Sequence, residues 1–385
     1  MFKLDLHYIA IILLLLFIYS CKNRNEKSGT VVFDVGFEEL KNYQGICRID
    51  GEEEVYFFKS KFNPQVRFYD LKGSLRDSVS LKQVEDSIGK IGLFSFVSKD
   101  TMIVLSYVTN QMVGLKRNGS FLFNLNLDSL SAPNDENRYC FWSSFTPSPI
   151  HIGNNVIFKL MWNGKYRNKY RATSASDYYK HILISRMHSP SVSKIEGIYS
   201  DSPQIKYGMR DFYYDRSPDL ISYGGSEKNY ALLNDKLFFI IANERSIYEL
   251  DTNSLEVIDT IPIIPEQYEI PAGIKLIDKP GISEDMMAEQ ELMDKCRITN
   301  MLYSQAKKQY YIFLRTAKDL SAVDELGYPF KLYVYDDRFN KKKEYTFKTD
   351  QYNPKSAMMT SKGIMIEKIN KDQEYGKKTF EFIDL

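Results

Sequence analysis

A unit of four short strands repeats along the chain, and this repeat constrains the fold more than any other feature. Two neighbouring copies span residues 45–81 and 92–127, and each reads strand, polar turn, strand, Asn-containing turn, strand, Gly turn, strand. The glycines of the last turns, Gly73 and Gly119, are 46 residues apart, which is within reach of one β-propeller blade. Asn and Gly suit such turns because tight hairpins need positive φ angles. The repeat therefore predicts a ring of four-stranded blades.

The third strand of the unit and its turn can be followed through the whole chain. The residues at the position of the first aspartate mark six copies: Asp70, Lys116, His188, Asp251, Asp336 and Asp384. The third copy, at residues 182–189, lacks both the acidic residue and the glycine. Six copies predict an all-β fold, a six-bladed β-propeller, with insertions between the second and fifth copies.

The two ends of the repeat region are complementary. Residues 379–385 match a third strand but no fourth strand follows, and residues 30–35 read as a strand without a hairpin partner. Pairing these two segments would close the ring and leave neither as an open sheet edge. We therefore predict closure by the N-terminal strand, which a sandwich or jelly roll would leave unexplained.

One inserted helix interrupts the strand pattern. Ser283 can cap a helix over residues 284–296, which has acidic residues in its first turn and Lys295 near its end. Ala288, Leu292 and Cys296 share one face of that helix. The prediction is a cap packed on one mouth of the propeller, and the alternative is a functional lid over a pocket.

The first 21 residues predict an export signal. A basic start at Lys3 precedes an apolar run over residues 9–19, which is too short to cross a bilayer but suits a secretory signal. The run ends at Ser20 and Cys21, a pattern that resembles a bacterial lipobox, although Tyr19 departs from the usual small residue. We predict a signal peptide over 1–20, a lipidated flexible tether over 21–29 and the propeller over 30–385. The alternative is an uncleaved signal anchor.

Charge and cysteine content exclude several function classes. Lys plus Arg number 51 against 50 for Asp plus Glu, so the balance gives no case for nucleic-acid binding. Cys47, Cys140 and Cys296 are widely spaced, and neither CxxC nor a Cys/His metal spacing occurs. We predict buried, unpaired thiols, with one disulfide plus a leftover cysteine as the alternative. No motif calls for a metal or any other cofactor.

One segment combines residue types that suit ligand binding. Its aromatic and basic side chains alternate, and the candidate ligand-binding residues are Trp162, Tyr166, Arg167, Tyr170 and Arg171. Aromatic faces and guanidinium groups can stack on a sugar ring or a peptide. The alternative is a decorated hairpin inside the third blade. By contrast, we interpret the acidic run at residues 52–54 as solvated turn charge.

The lipobox, the polar tether and the repeated FYDLKG, GLKRNG, YELDTNS and VYDDRFN units resemble the six-bladed β-propeller lipoproteins of Bacteroidota. The resemblance covers roughly residues 30–385 and implies a TolB-like propeller of a domain of unknown function with a cell-envelope address. It implies no activity, because this architecture hosts binders and enzymes alike. It assigns a lipid role to Cys21 alone.

These observations favour a membrane-anchored binding or scaffolding lipoprotein of the cell envelope, with an envelope protein or a glycan as partner. The alternative is a propeller enzyme of the lyase or hydrolase type that acts on a glycan or peptide in the central channel. Lys22 after the lipid cysteine predicts the outer membrane. The single acid in residues 22–27 favours the periplasmic side over the cell surface.

Overall fold

The computed structural model of the protein describes the following residues: 29–37, 44–49, 51–59, 63–98, 101–106, 109–130, 139–140, 149–158, 162–163, 192–208, 221–222, 228–241, 244–270, 274–275, 295–316, 329–348, 351–369, 374–383 and 385. They form a six-bladed β-propeller of six four-stranded antiparallel sheets, as the repeat predicts. We number the blades from the first complete sheet.

The first strand of the chain, β1 (Thr30–Asp34), belongs to the last blade. Blade 1 contains β2 (Gln44–Ile49), β3 (Glu52–Lys59), β4 (Gln65–Asp70) and β5 (Leu75–Ser80). Blade 2 contains β6 (Ile91–Ser98), β7 (Thr101–Ser106), β8 (Gln111–Lys116) and β9 (Phe121–Asn126). Blade 3 contains β11 (Ile150–Ile152), β12 (Asn155–Phe158), β14 (Val192–Glu196) and β15 (Gln204–Gly208).

The second half of the ring follows the same order. Blade 4 contains β17 (Lys228–Leu233), β18 (Lys236–Ile241), β19 (Ser246–Leu250) and β20 (Val257–Pro262). Blade 5 contains β22 (Arg297–Ser304), β23 (Gln309–Arg315), β24 (Phe330–Asp336) and β25 (Lys341–Phe347). Blade 6 contains β26 (Tyr352–Thr360), β27 (Gly363–Lys368) and β28 (Lys377–Ile383), with β1 as its outer strand.

Smaller elements lie in the links between these strands. Strands β10 (Tyr139–Cys140) and β13 (Trp162–Asn163) form one two-stranded sheet, and β16 (Ile221–Ser222) and β21 (Ile274–Lys275) form another. The described residues contain two short helices, α1 (Lys82–Ile88) and α2 (Leu127–Leu130). Neither helix in this part of the chain is long and apolar enough to cross a membrane.

Among the described residues the core consists of six apolar clusters, one at each interface between neighbouring blades. Strand β3 shows how one strand serves two of them. Val55 and Phe57 pack towards blade 6, whereas Tyr56 and Phe58 pack towards blade 2. Because successive side chains point to opposite faces and both faces are buried, the middle strands read as continuous apolar runs.

The predicted closure of the ring is confirmed. Strand β1 pairs antiparallel with β28, in a register that places Thr30 opposite Glu381 and Asp34 opposite Lys377. Phe33 is fully buried and its ring lies 5.5 Å from that of Phe380 in blade 6. Strands from opposite ends of the described chain therefore share one blade.

The predicted third strand of the third blade is wrong. Residues 182–189 lie outside the described residues, and the structure assigns that position to β14 (Val192–Glu196). The acidic residue and the glycine that residues 182–189 lack are present at β14: Glu196 ends the strand, and Gly197 follows with a φ of 70°. The other third strands lie where the repeat predicts them, as β4, β8, β19, β24 and β28.

The predicted helix over 284–296 also falls mostly outside the described residues. Lys295 and Cys296 are described, and they precede β22 without being helical. The two helices that the structure does show, α1 and α2, follow the outer strands of blades 1 and 2. Val84 and Ile88 of α1 are buried in the cluster between these blades, which explains why this link is helical.

Candidate functional site

The two ends of the strands form two different faces of the propeller. The links between first and second strands, and between third and fourth strands, contain two to seven residues and form what we call the turn face. The links between second and third strands, and those between blades, form the loop face. These links contain four to 34 residues, so most of the residues that link one strand to the next lie between strand ends of the loop face. Loops on a rigid scaffold are where binding residues concentrate.

The long links of the loop face gather around blades 3, 4 and 5. They join β9 to β11, β12 to β14, β15 to β17, β20 to β22 and β23 to β24. The two small sheets connect four of these links in two pairs: β10 pairs with β13, and β16 pairs with β21. Backbone hydrogen bonds thus tie the link before blade 3 to the link inside it, and the link before blade 4 to the link after it.

Two cationic side chains lie at the loop-face end of blade 5. Arg297 begins β22 and Arg315 ends β23, the two stand directly opposite each other, and each side chain is 3% exposed. Each arginine makes a further interaction within the fold. Burial of two charges of one sign is costly unless each is compensated, so these positions are constrained by the fold around them.

A second cation positions the link that leaves blade 4. Arg245 donates hydrogen bonds to the carbonyl oxygens of Pro265, at 2.8 Å, and Tyr268, at 2.9 Å. The ammonium group of Lys331 lies 5.5 Å from the centre of the Tyr268 ring and forms an ion pair with Glu344. These contacts hold residues 263–270 against blade 5.

The two described thiols are structural. Cys47 and Cys296 are free and buried, as predicted. Burial raises the pKa of Cys296 to about 12, although the positive charges of Arg245 and Lys331 oppose the shift. Burial, reinforced by the charge of Glu54, also raises the pKa of Cys47 to about 12. Since the thiolate is the nucleophile, neither group is activated for covalent chemistry. The side chain of Cys140 lies outside the described residues.

The polar side chains of the inner strands are used to join blades. Gln44 donates to the Ser356 carbonyl at 3.1 Å, which links blades 1 and 6. Ser95 donates to the Pro149 carbonyl at 2.7 Å, and Asn300 donates to the carbonyl oxygens of blade 6. The described residues contain no group of three or more His, Cys, Asp or Glu side chains placed to hold a metal.

The one described histidine of the inner strands carries little charge. Partial burial lowers the pKa of His151, so its imidazole is mainly neutral at pH 7. Its ring lies 6.3 Å from that of Tyr199, which is half exposed. This arrangement suits packing at the rim of blade 3 more than proton transfer.

The turn face carries an ionic clamp where the sequence predicts solvated charge. The interpretation of residues 52–54 as solvated is wrong for two of the three: Glu53 accepts the backbone N–H of Ser361 in blade 6, and Glu54 pairs with Arg117 of blade 2 at 3.2 Å. Arg117 also lies 4.1 Å over the Phe68 ring. These partners come from neighbouring blades, so the run of acids alone could not reveal them.

Arg117 also forms one wall of a groove between blades 1 and 2. The groove has a volume of about 740 Å³ and is lined by Asp77, Ser80, Thr101 and Lys116 as well. Arg117 binds Asp77 at 2.9 Å. Two of its charged lining residues are therefore paired with each other, and we interpret the groove as the outer edge of a blade interface.

Most of the predicted site residues fall outside the part of the chain that the structure describes. Cys21, Tyr166, Arg167, Tyr170 and Arg171 all do, so their roles stay predictions. Trp162 is described through its backbone, which pairs with Cys140 across the β10–β13 sheet. The link that carries these candidates, residues 159–191, begins and ends at the loop face.

Comparison with known proteins supports the fold. No protein-family model matches the chain, and no curated protein matches it. A solved structure of a member of the DUF4221 family from Bacteroides vulgatus is similar with a TM-score of 0.64 and 12% identity, over 92% of this chain and 96% of that one. At this identity the likeness shows a shared fold.

Lower scores relate the chain to other solved structures. Virginiamycin B lyase from Staphylococcus aureus aligns with a TM-score of 0.40 and 10% identity, over 92% of this chain and 99% of that one. The β-propeller domain of Cps50 from Myceliophteria thermophila aligns with a TM-score of 0.43 and 6% identity, over 88% and 96%. A propeller alone does not define an activity.

Proposed function

We propose that the protein is a membrane-anchored binding or scaffolding lipoprotein of the bacterial cell envelope, whose loop face receives a protein or glycan partner. One observation carries the proposal: all links longer than seven residues begin and end on one face, and short paired strands tie four of them in two pairs. A rigid ring whose long links share one side suits recognition of an extended partner.

The candidate ligand-binding residues fit this proposal. Trp162, Tyr166, Arg167, Tyr170 and Arg171 belong to the link between β12 and β14, whose ends lie on the loop face. Aromatic and guanidinium groups give large contact areas with sugars and peptides, and they carry much of the energy of such interfaces.

The anchor in this proposal is a lipid on Cys21 after removal of residues 1–20. Each buried methylene contributes about 0.8 kcal/mol, so two or more acyl chains give stable membrane attachment. The proposed address is the periplasmic side of the outer membrane. Metabolic labelling with a fatty acid tests the anchor, because a Cys21→Ser variant should lose both the label and sedimentation with membranes.

The binding role is tested by capture from envelope extracts and by a glycan array. A variant with Tyr166→Ala, Arg167→Ala, Tyr170→Ala and Arg171→Ala should lose its partner. A turn-face variant with Lys72→Ala and Arg76→Ala should keep it. An empty capture together with a blank array would contradict the proposal. The alternative, an enzyme in the central channel, draws no support from Gln44, Ser95 and Asn300, whose side chains donate to backbone carbonyl oxygens of neighbouring blades or the links that lead into them.

A further inference from the structure

The direction of β1 decides at which face the chain enters the propeller. Because β28 is a third strand, it runs from the loop face to the turn face, and β1 runs antiparallel to it. Thr30 therefore lies at the turn face and Asp34 at the loop face. On the loop-face side, the N–H of Gly36 donates to the Gly376 carbonyl at 2.8 Å.

Contacts around Gly29 confirm this placement. The N–H of Phe382 faces the Gly29 carbonyl at 3.4 Å, near the end of β28. Lys307, in the turn between β22 and β23, donates to the Leu385 carbonyl at 3.0 Å. Gly29 thus lies beside the end of β28 and Leu385 beside the first turn of blade 5, both on the side of the ring opposite the long links.

The distance between Cys21 and Thr30 limits how the ring can be placed. Nine residues span at most about 30 Å when fully extended. If the tether is as flexible as its polar composition predicts, its root-mean-square end-to-end distance is about 16 Å. Strand β24 has seven residues, and at about 3.4 Å per residue it gives the ring a height of about 24 Å. The average tether is therefore shorter than the height of a blade.

The turn face next to Gly29 also carries the charge that suits a phospholipid surface. Lys307 and Lys308 are exposed in the first turn of blade 5, and Lys362 is exposed in the first turn of blade 6. The ammonium group of Lys362 lies 5.8 Å from the Phe382 ring, close to Gly29. Basic side chains are attracted to anionic lipid headgroups within about a Debye length, roughly 8–10 Å.

We propose that the lipidated protein stands on its membrane with the turn face towards the bilayer and the loop face directed away from it. This inference rests on the proposed lipid at Cys21. The surface that contacts the membrane is the turn side of blades 5 and 6, and its partner is an anionic phospholipid surface. The partner of the loop face then approaches from the side opposite the membrane.

Two serines of blade 1, one on each face of the ring, provide a matched test. Ser74 precedes β5 on the turn face and Ser87 lies in α1 on the loop face, and both are exposed. Ser74→Cys and Ser87→Cys are each made in the full lipoprotein carrying Cys140→Ser, because Cys47 and Cys296 are buried. A fluorophore is attached at each position. The proteins are placed in vesicles of phosphatidylethanolamine and phosphatidylglycerol that contain a headgroup-attached, short-range quencher.

The label at position 74 should be quenched several-fold more than the label at position 87. Equal quenching, or stronger quenching at position 87, would overturn the orientation while leaving the anchor intact. Failure of the wild-type protein to float with vesicles would instead contradict the anchor itself. A Cys21→Ser chain, which should remain unbound, gives the baseline for both labels.

Discussion

Strand β1 and the outer strands of the other blades occupy the same position but are held in different ways. In β5, β9 and β20 several large apolar side chains are exposed, with Leu75 55%, Phe121 49% and Ile258 61% exposed, and Ile261 is the one buried side chain. In β1, Val31 is 8% exposed and Phe33 is fully buried against Phe57, Tyr69 and Phe380. Strand β1 thus buries two of its five side chains, whereas β5 and β9 bury none and β20 buries one.

The difference follows from how each strand reaches its place. Strands β5, β20 and β25 are joined to their neighbours by short turns, in which Asp70, Asp251 and Asp336 accept backbone N–H groups. A short link costs little entropy to close. Strand β1 comes from the opposite end of the described chain, so its ordering must be offset by burial of apolar surface.

Removal of β1 should have the largest effect. A chain beginning at Glu38 loses Val31, Phe33 and Val35 from the core, and it leaves the edge of β28 open. Loss of one buried Phe side chain costs about 3–5 kcal/mol, and a typical domain is stable by about 5–15 kcal/mol. We therefore expect aggregation or a strongly lowered Tm relative to a chain beginning at Lys22. Equal melting temperatures would refute the role of β1 in closure.

A single substitution should separate the two kinds of outer strand. Phe33→Ala should lower the free energy of unfolding by about 3–5 kcal/mol because it leaves a cavity among aromatic rings. Phe121→Ala, on the exposed side of β9, should change it by about 0.5 kcal/mol or less. Urea unfolding of both variants measures the difference in stability. Similar losses at the two positions would show that β1 and β9 do not differ in how their side chains hold them.

Tyr69 provides a smaller, polar contribution to the same attachment. Its hydroxyl donates to the Asp34 carbonyl and so joins blade 1 to the end of β1. Tyr69→Phe should cost about 1 kcal/mol, the usual net value of one hydrogen bond. Tyr375→Phe is the control, because Tyr375 is 71% exposed. An unchanged urea midpoint for Tyr69→Phe would show that burial alone holds β1.

The features that local chemistry dictates could be predicted from the sequence. The turn after Asp70 needs a side-chain acceptor and the positive φ of Gly73, so its pattern recurs in recognisable form. The closing strand could be predicted because residues 30–35 lacked a local partner. Strand β14 was missed because Lys194 and Glu196 make it look polar, although Lys194 is buried and its ammonium group reaches the Thr252 and Asn253 carbonyl oxygens of blade 4.

The candidate site could be predicted less well, because its described parts depend on tertiary pairing. Arg297 and Arg315 become neighbours only when β22 and β23 pair. Arg117 and Glu54 are 63 residues apart and meet only across a blade interface. Neither pair forms a motif in the sequence. The aromatic and basic segment from Trp162 to Arg171 stays a prediction from composition.

A fall in pH should cause the smallest of these changes in the free energy of unfolding. The N–H groups of Ser254 and Asn253 hold the pKa of Asp251 below its ordinary value in the folded protein. The folded state therefore binds fewer protons than the unfolded state, so the stability from this carboxylate is complete above about pH 4 and is lost as the pH falls further. Asp251→Asn keeps an acceptor in the turn but cannot titrate.

Going from pH 7 to pH 3, the Asp251→Asn variant should lose slightly less stability than the wild type. The loss caused by Phe33→Ala should be the same at both pH values, because it arises from apolar burial without a titrating group. Urea unfolding at the two pH values measures both differences. If the Asp251→Asn variant shows the wild-type pH dependence, the charge of the Asp251 carboxylate does not help to hold the hairpin-joined strands. A Phe33→Ala loss that shrinks in acid would show that β1, too, depends on charge.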